Sequence, residues 1–244
     1  DTYLADMGYD HAASLDVGHA IGLEQAVLSR RPILSASVSP DTEIGVHPEL
    51  YRGRPSRYAG QPMHFRRAPL VVEIDLSGSA GEASESSGLE DQGIPEAERL
   101  TLVVVHLKTG SGSGEWRAAE GEALAGLVDG LMADRPNRRV AVLGDFAAQP
   151  AEGHLAPLLE AGFSDVFADL SGDRGASATA IGGERDCFIL LNGPASAAAE
   201  GAARFVLGTV APPRELDREV AFGMPGFASD HYPLAVDLTR AGDG

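Results

Sequence analysis

Four stretches of the chain end an apolar run with, or set beside one, a group able to move a proton or hold a cation. They are Val103 to Lys108 with His106, Val142 to Phe146 with Asp145, Arg185-Asp186 ahead of Cys187 to Leu191, and Ser229-Asp230-His231-Tyr232-Pro233. Such apolar runs read as buried strands, and a carboxylate or imidazole at a strand end is held rigidly at a sheet edge. Converging on one cleft, His106, Asp186, Asp230 and His231 supply two Asp/His pairs. That is material for acid–base hydrolysis.

Each residue has a functional and a plainer reading. His106 either lies at the mouth of the cleft, donating to a phosphoryl oxygen or a leaving group, or packs as a hydrogen-bonded core histidine. Gly144 permits a tight turn that aims Asp145 at a divalent ion or an attacking water; the alternative is an Asx-turn or helix cap. His231 is the candidate general base, against simple turn chemistry before Pro233. Neighbours on a strand point to opposite faces, so Asp230 serves a metal or a different imidazole. Asp186 either accepts from a histidine ring and fixes its tautomer or pairs with Arg185. Thr179 could donate to a phosphate. Tyr51 to Arg67 carries Arg52, Arg54, Arg57, Arg66 and Arg67 without an acid. It either meets a phosphorylated or anionic ligand, with Arg54 and Arg57 as the contacts, or is a surface loop balancing nearby acids.

The elements that must position these groups follow from pattern. Strands are predicted at Gln25–Leu28, Pro69–Leu76, Leu102–Leu107, Val140–Leu143, Val166–Phe167, Cys187–Leu191, Arg204–Leu207 and Leu234–Leu238. Leu124, Leu127, Val128, Leu131 and Met132 fall on one helical stripe, so Glu115–Ala133 is a helix, with Pro136 beyond its end. Gly121, Gly126 and Gly130 lower its propensity, and packing must hold it. His154–Glu160 reads as a short helix. Residues 77–98, rich in Ser, Gly and Glu, read as a flexible acidic insertion. Many short strands with few helices predict two packed sheets covered by helices, in one domain over 1–244.

Composition narrows the function. The hydrophobic fraction of 43% argues against disorder, and the formal charge of −17 disfavours non-specific nucleic-acid binding while allowing a local basic patch. No apolar run is long enough for a membrane helix, so the chain reads as soluble, with its compartment open. Cys187 is the single cysteine, which excludes an intrachain disulfide and any metal site built of cysteines. No Gly-x-Ser-x-Gly, Walker loop or dinucleotide fingerprint is present.

From about residue 8 to 240 the order of motifs resembles the endonuclease/exonuclease/phosphatase superfamily, the DNase-I-like metal-dependent phosphoesterases. The matching stretches are Ala26-Val27-Leu28-Ser29-Arg30, His106-Leu107-Lys108, Gly144-Asp145-Phe146, Arg185-Asp186 with its strand, and Ser229-Asp230-His231-Tyr232-Pro233; Thr179 falls where such proteins often carry a threonine. The resemblance implies a four-layer α/β sandwich with two central, mainly antiparallel sheets flanked by helices. It implies His231 as general base, Asp230 as a metal-associated or base-orienting carboxylate, and Asp145 as holder of the attacking water or a metal. His106 would be the phosphate-binding or leaving-group histidine, with Asp186 supporting it. Mg²⁺, with Mn²⁺ as a substitute, would be the cofactor, and a phosphorylated small molecule or phosphodiester the substrate.

Two departures stand out. Ala147 occupies the place of the Asn two residues after the motif Asp, and its methyl neither donates to phosphate nor binds metal. The family's first-strand Asn and principal metal-binding Glu are expected in a segment ahead of this sequence. The expected function is therefore metal-dependent phosphoester hydrolysis, with a catalytically inactive binding or scaffold relative as the alternative.

Overall fold

A computed structural model describes residues 7–51, 53–77, 93–110, 112–149, 152–168, 185–205, 231 and 233–239. At its centre lies a six-stranded sheet built from β3 (Ile33–Ser37), β8 (Leu70–Asp75), β9 (Arg99–His106), β10 (Val140–Asp145), β11 (Ser164–Asp165) and β12 (Cys187–Leu191). Its order is β11-β12-β10-β9-β8-β3. Only β9 and β10 run parallel, and every other pairing in it is antiparallel. The helix α1 (Gly114–Asp134) supplies the crossover between the parallel pair, as parallel strands require.

Alternation along the strands assigns the two faces. Val103 and Val105 of β9, Val140 and Val142 of β10, and Phe188 and Leu190 of β12 share one cluster with Leu124 and Val128 of α1. Leu127, Leu131 and Met132, the rest of the predicted stripe, are partly buried against it. The opposite face carries a second β layer. There Leu70, Val72 and Ile74 pack on Ala13 and Val27 from the antiparallel pair β1 (His11–Ser14) and β2 (Ala26–Ser29). Ala141, Ile189 and Leu191 pack with Leu234, Val236 and Leu238 of β14 (Leu234–Leu238), the partner of β13 (Ala199–Phe205). The result is an α/β sandwich of mixed sheets flanked by helical structure, and the described residues form three of its layers.

Several elements differ from their sequence expectation. Val166–Phe167 is a turn, not a strand: Val166 N still donates to Ile189 O at 3.2 Å, and Asp165 Oδ1 then accepts from Phe167 N at 3.0 Å as the chain turns away. Phe167 is buried by packing rather than by a ladder. Between β3 and β8 the chain forms the short strands β4 (Glu43–Val46), β5 (Leu50–Tyr51), β6 (Arg54–Pro55) and β7 (Pro62–His64), paired β4–β7 and β5–β6. No apolar run marked these. His154–Glu160 is one 3₁₀ turn followed by α2 (Ala156–Glu160). Residues 78–92 of the acidic insertion, and residues 206–207 of the predicted strand at Arg204–Leu207, lie outside the described residues. Among the described residues, no helix is long and apolar enough to cross a membrane.

Candidate active site

The site forms where three neighbouring strands end. Register places Asp145 opposite both His106 on β9 and Cys187 on β12. Beyond the strands the backbone continues the lock: Leu107 N donates to Asp145 O at 2.8 Å, and Phe146 N to Asp186 O at 2.8 Å. Gly144 is what lets β10 come this close to β9. Its φ is +136°, and a Cβ there would lie 2.0 Å from the Val105 carbonyl oxygen.

Two imidazole–carboxylate pairs result. His106 Nε2 faces Asp145 Oδ2 at 3.5 Å, and His231 Nδ1 faces Asp186 Oδ1 at 3.4 Å. The expected support of His106 by Asp186 is therefore replaced by a different pairing. Asp186 leads into β12 beside His231, whereas the register sets Asp145 across from His106. Arg185 does not compete for Asp186: it gives Nη2 to both oxygens of Asp165, at 2.6 and 2.7 Å, and stacks on Phe188 with its guanidinium carbon 4.5 Å from the ring centroid.

Burial sets the charge state of the His106–Asp145 pair. Burial pushes the His106 pKa down to about 4, aided by the positive charge of Arg67 and by His231 and His19. At neutral pH His106 is an uncharged donor, so its contact with Asp145 is not an ion pair. Burial also raises the Asp145 pKa; the Ala147 N–H opposes that shift and the Asp186 charge adds to it. Asp145 does two things at once. Oδ1 accepts from Ala147 N at 2.7 Å, which is the Asx-turn reading, while Oδ2 faces the cleft. Ala147 takes φ +50°, a left-handed conformation that asparagine adopts more readily than alanine.

The sequence reading missed three residues as parts of this site. Arg67, counted there with a surface patch, is buried and donates Nε to His106 O at 2.7 Å and Nη2 to Leu107 O. It braces the end of β9. Glu120 of α1, fully buried, accepts from Arg66 N at 3.0 Å and Lys108 N at 2.8 Å, tying both flanks of the site to the helix. A lone acid in an otherwise apolar helix stripe was its only signal. His19 is close enough to lower the pKa of His106, and nothing in its local sequence announced this.

Arg54 and Arg57 are not brought to the cluster. They line a separate open hollow of about 560 Å³ with Tyr51, Pro55, Ser56 and Tyr58, and Arg57 donates to the Tyr58 hydroxyl. Asp230 and Thr179 lie outside the described residues.

A divalent cation fits the oxygen donors present. Asp145 ends β10 and Asp186 immediately precedes the antiparallel β12, and their like charges work against each other. Mg²⁺ is commonly held by one or two carboxylates with several waters retained, which suits this pair. Asp186, Cys187 and His231 also bring one ligand atom each to within 4.8 Å of one another.

No protein-family model and no curated protein matches the chain. Among solved structures it is similar to the 3′ phosphatase NExo from Neisseria bound to product DNA hairpin, with TM-score 0.55, 18% identity, and 98% of this chain and 82% of that chain covered. The human Nocturnin catalytic domain with bound sulfate anion gives TM-score 0.54 at 16% identity, over 99% of this chain and 76% of that one. Truncated Caenorhabditis elegans TDP2 gives 0.53 at 14%, over 94% and 76%. At these identities the likeness is one of fold. The chain has the DNase-I-like α/β sandwich that these structures share.

Proposed function

We propose that the chain is a metal-dependent phosphoester hydrolase of the endonuclease/exonuclease/phosphatase superfamily, using water activated by His231. The observation that carries this is the convergence of two imidazole–carboxylate pairs on three adjacent strand ends, His231 with Asp186 and His106 with Asp145. A proton kept on His231 Nδ1 by Asp186 leaves Nε2 with a lone pair to accept from water. His106, neutral, donates an N–H to a phosphoryl oxygen or the leaving group. Asp145 and Asp186 would hold Mg²⁺, with Mn²⁺ as a substitute; Asp230, the metal-associated carboxylate expected from the motif, lies outside the described residues. Bound there, the ion supplies Lewis-acid stabilisation of phosphoryl charge.

The substrate class is an anionic phosphoester, a phosphorylated small molecule or a phosphodiester, met by Arg54, Arg57 and Thr179. NExo's product DNA hairpin supports a phosphoester in such a fold, whereas the charge of −17 speaks against non-specific nucleic-acid binding. The test is turnover of a phosphomonoester and phosphodiester panel with Mg²⁺ or Mn²⁺ by the wild type and His231→Ala. Loss of about 10²- to 10⁴-fold in the variant is the expected result for a general base. One observation favours a second reading, an inactive binding or scaffold protein: the methyl of Ala147 offers the cleft no donor. Absence of turnover with either metal across the panel selects it.

A further inference from the structure

We propose that Asp186, Cys187 and His231 form a site for a thiophilic divalent cation, with Zn²⁺ the fitting ion, and that filling it stops His231 from acting as a base. Three unlike donors converge here. Relative to His231 Nδ1, Cys187 Sγ lies at 3.1 Å and Asp186 Oδ1 at 3.4 Å, and the three ligand atoms fall within 4.8 Å of one another. Ligand atoms around a tetrahedral Zn²⁺, with bonds of about 2.0–2.3 Å, stand roughly 3.3–3.6 Å apart, so only small side-chain shifts are needed. All three residues are half-buried, which gives an ion access without opening the core.

Donor chemistry selects the ion. Mg²⁺ takes oxygen ligands and gains little from sulfur or imidazole nitrogen. Zn²⁺ is bound by carboxylate, imidazole and thiolate, and readily keeps water in a fourth position. The cation takes the lone pair of Nδ1, the thiol proton leaves to solvent, and the imidazole proton moves to Nε2. With that proton in place, Nε2 accepts nothing from water. Asp186 is drawn from orienting His231 and from the Mg²⁺ position it shares with Asp145 to ligating this ion instead. This consequence rests on the reading of His231 as the base; the site itself does not.

Co²⁺ titration of the whole chain tests the site by its absorption, without any turnover. The wild type is expected to show a near-ultraviolet thiolate-to-cobalt charge-transfer band, which must come from Cys187 as the only cysteine. In Cys187→Ala and His231→Asn, Zn²⁺ affinity measured by chelator competition is expected to fall at least about tenfold. Near-ultraviolet circular dichroism verifies the fold of each variant, and Cys187→Ser replaces Cys187→Ala if the latter does not fold. A wild type lacking the band, or unchanged Zn²⁺ affinity in the cysteine variant, overturns the proposal. Where Mg²⁺ supports turnover, Zn²⁺ is expected to inhibit the wild type and to be at least about tenfold less potent on the cysteine variant. Equal inhibition of both overturns the switch.

Discussion

At the scale of single residues, two backbone conformations decide the shape of the candidate site. Gly144 permits a contact between β10 and the Val105 carbonyl that no side chain allows. Gly144→Ala is expected to destabilise the protein by about 3 kcal/mol and to displace Asp145, measured as a lower urea midpoint. Ala147 is the converse case, an L-residue in a left-handed conformation. Ala147→Gly is expected to stabilise by about 1 kcal/mol, read from the same denaturation curves. An unchanged midpoint would show that the turn carries no strain at 147. The motif offered Asp145 as cleft acid or as turn-former, and its two oxygens face one partner of each kind. The partner of Asp186 was not legible, because a strand-end carboxylate reaches whichever ring the register brings alongside.

At the scale of elements, α1 shows how far pattern carries. Its apolar stripe and its extent were readable within one residue at each end, since packing on the sheet imposes helical spacing. The three glycines in its interior, Gly121, Gly126 and Gly130, are not alike in place. A Cβ on Gly121 would lie 2.3 Å from the His154 carbonyl oxygen, whereas Gly126 and Gly130 face open space. Gly126→Ala and Gly130→Ala are each expected to stabilise by about 1 kcal/mol through helix propensity, and Gly121→Ala to destabilise. Thermal midpoints that rise in all three would refute close packing of α1 on the 3₁₀ turn at Gly153–Leu155. The short strands β4 to β7 escaped the sequence reading because they are largely exposed. Without a buried face, no alternation is imposed on them.

Across the whole molecule, the acidic balance makes local cationic surface the natural route for an anionic substrate. The hollow containing Arg54 and Arg57 stands apart from the histidine–aspartate cluster, so its contribution would be to binding rather than to chemistry. Arg54→Ala with Arg57→Ala is expected to raise KM roughly tenfold and to flatten its salt dependence, leaving kcat unchanged. A KM that stays constant across ionic strength in both proteins would reduce the hollow to surface charge compensation.

Apolar spacing determined β2, β8, β9, β10, β12 and β14, the long helix and the ends at which acids and imidazoles emerge, because burial leaves its period in the residues themselves; β1 and β3, partly exposed, lay outside the predicted strands. It also carried the sandwich fold, through the order of those runs. Tertiary structure alone decided which acid meets which histidine, that Arg67 and Glu120 are buried braces, and that Cys187 turns toward His231. Those outcomes depend on strand register and on contacts between residues far apart in the chain. Local sequence contains no term for either.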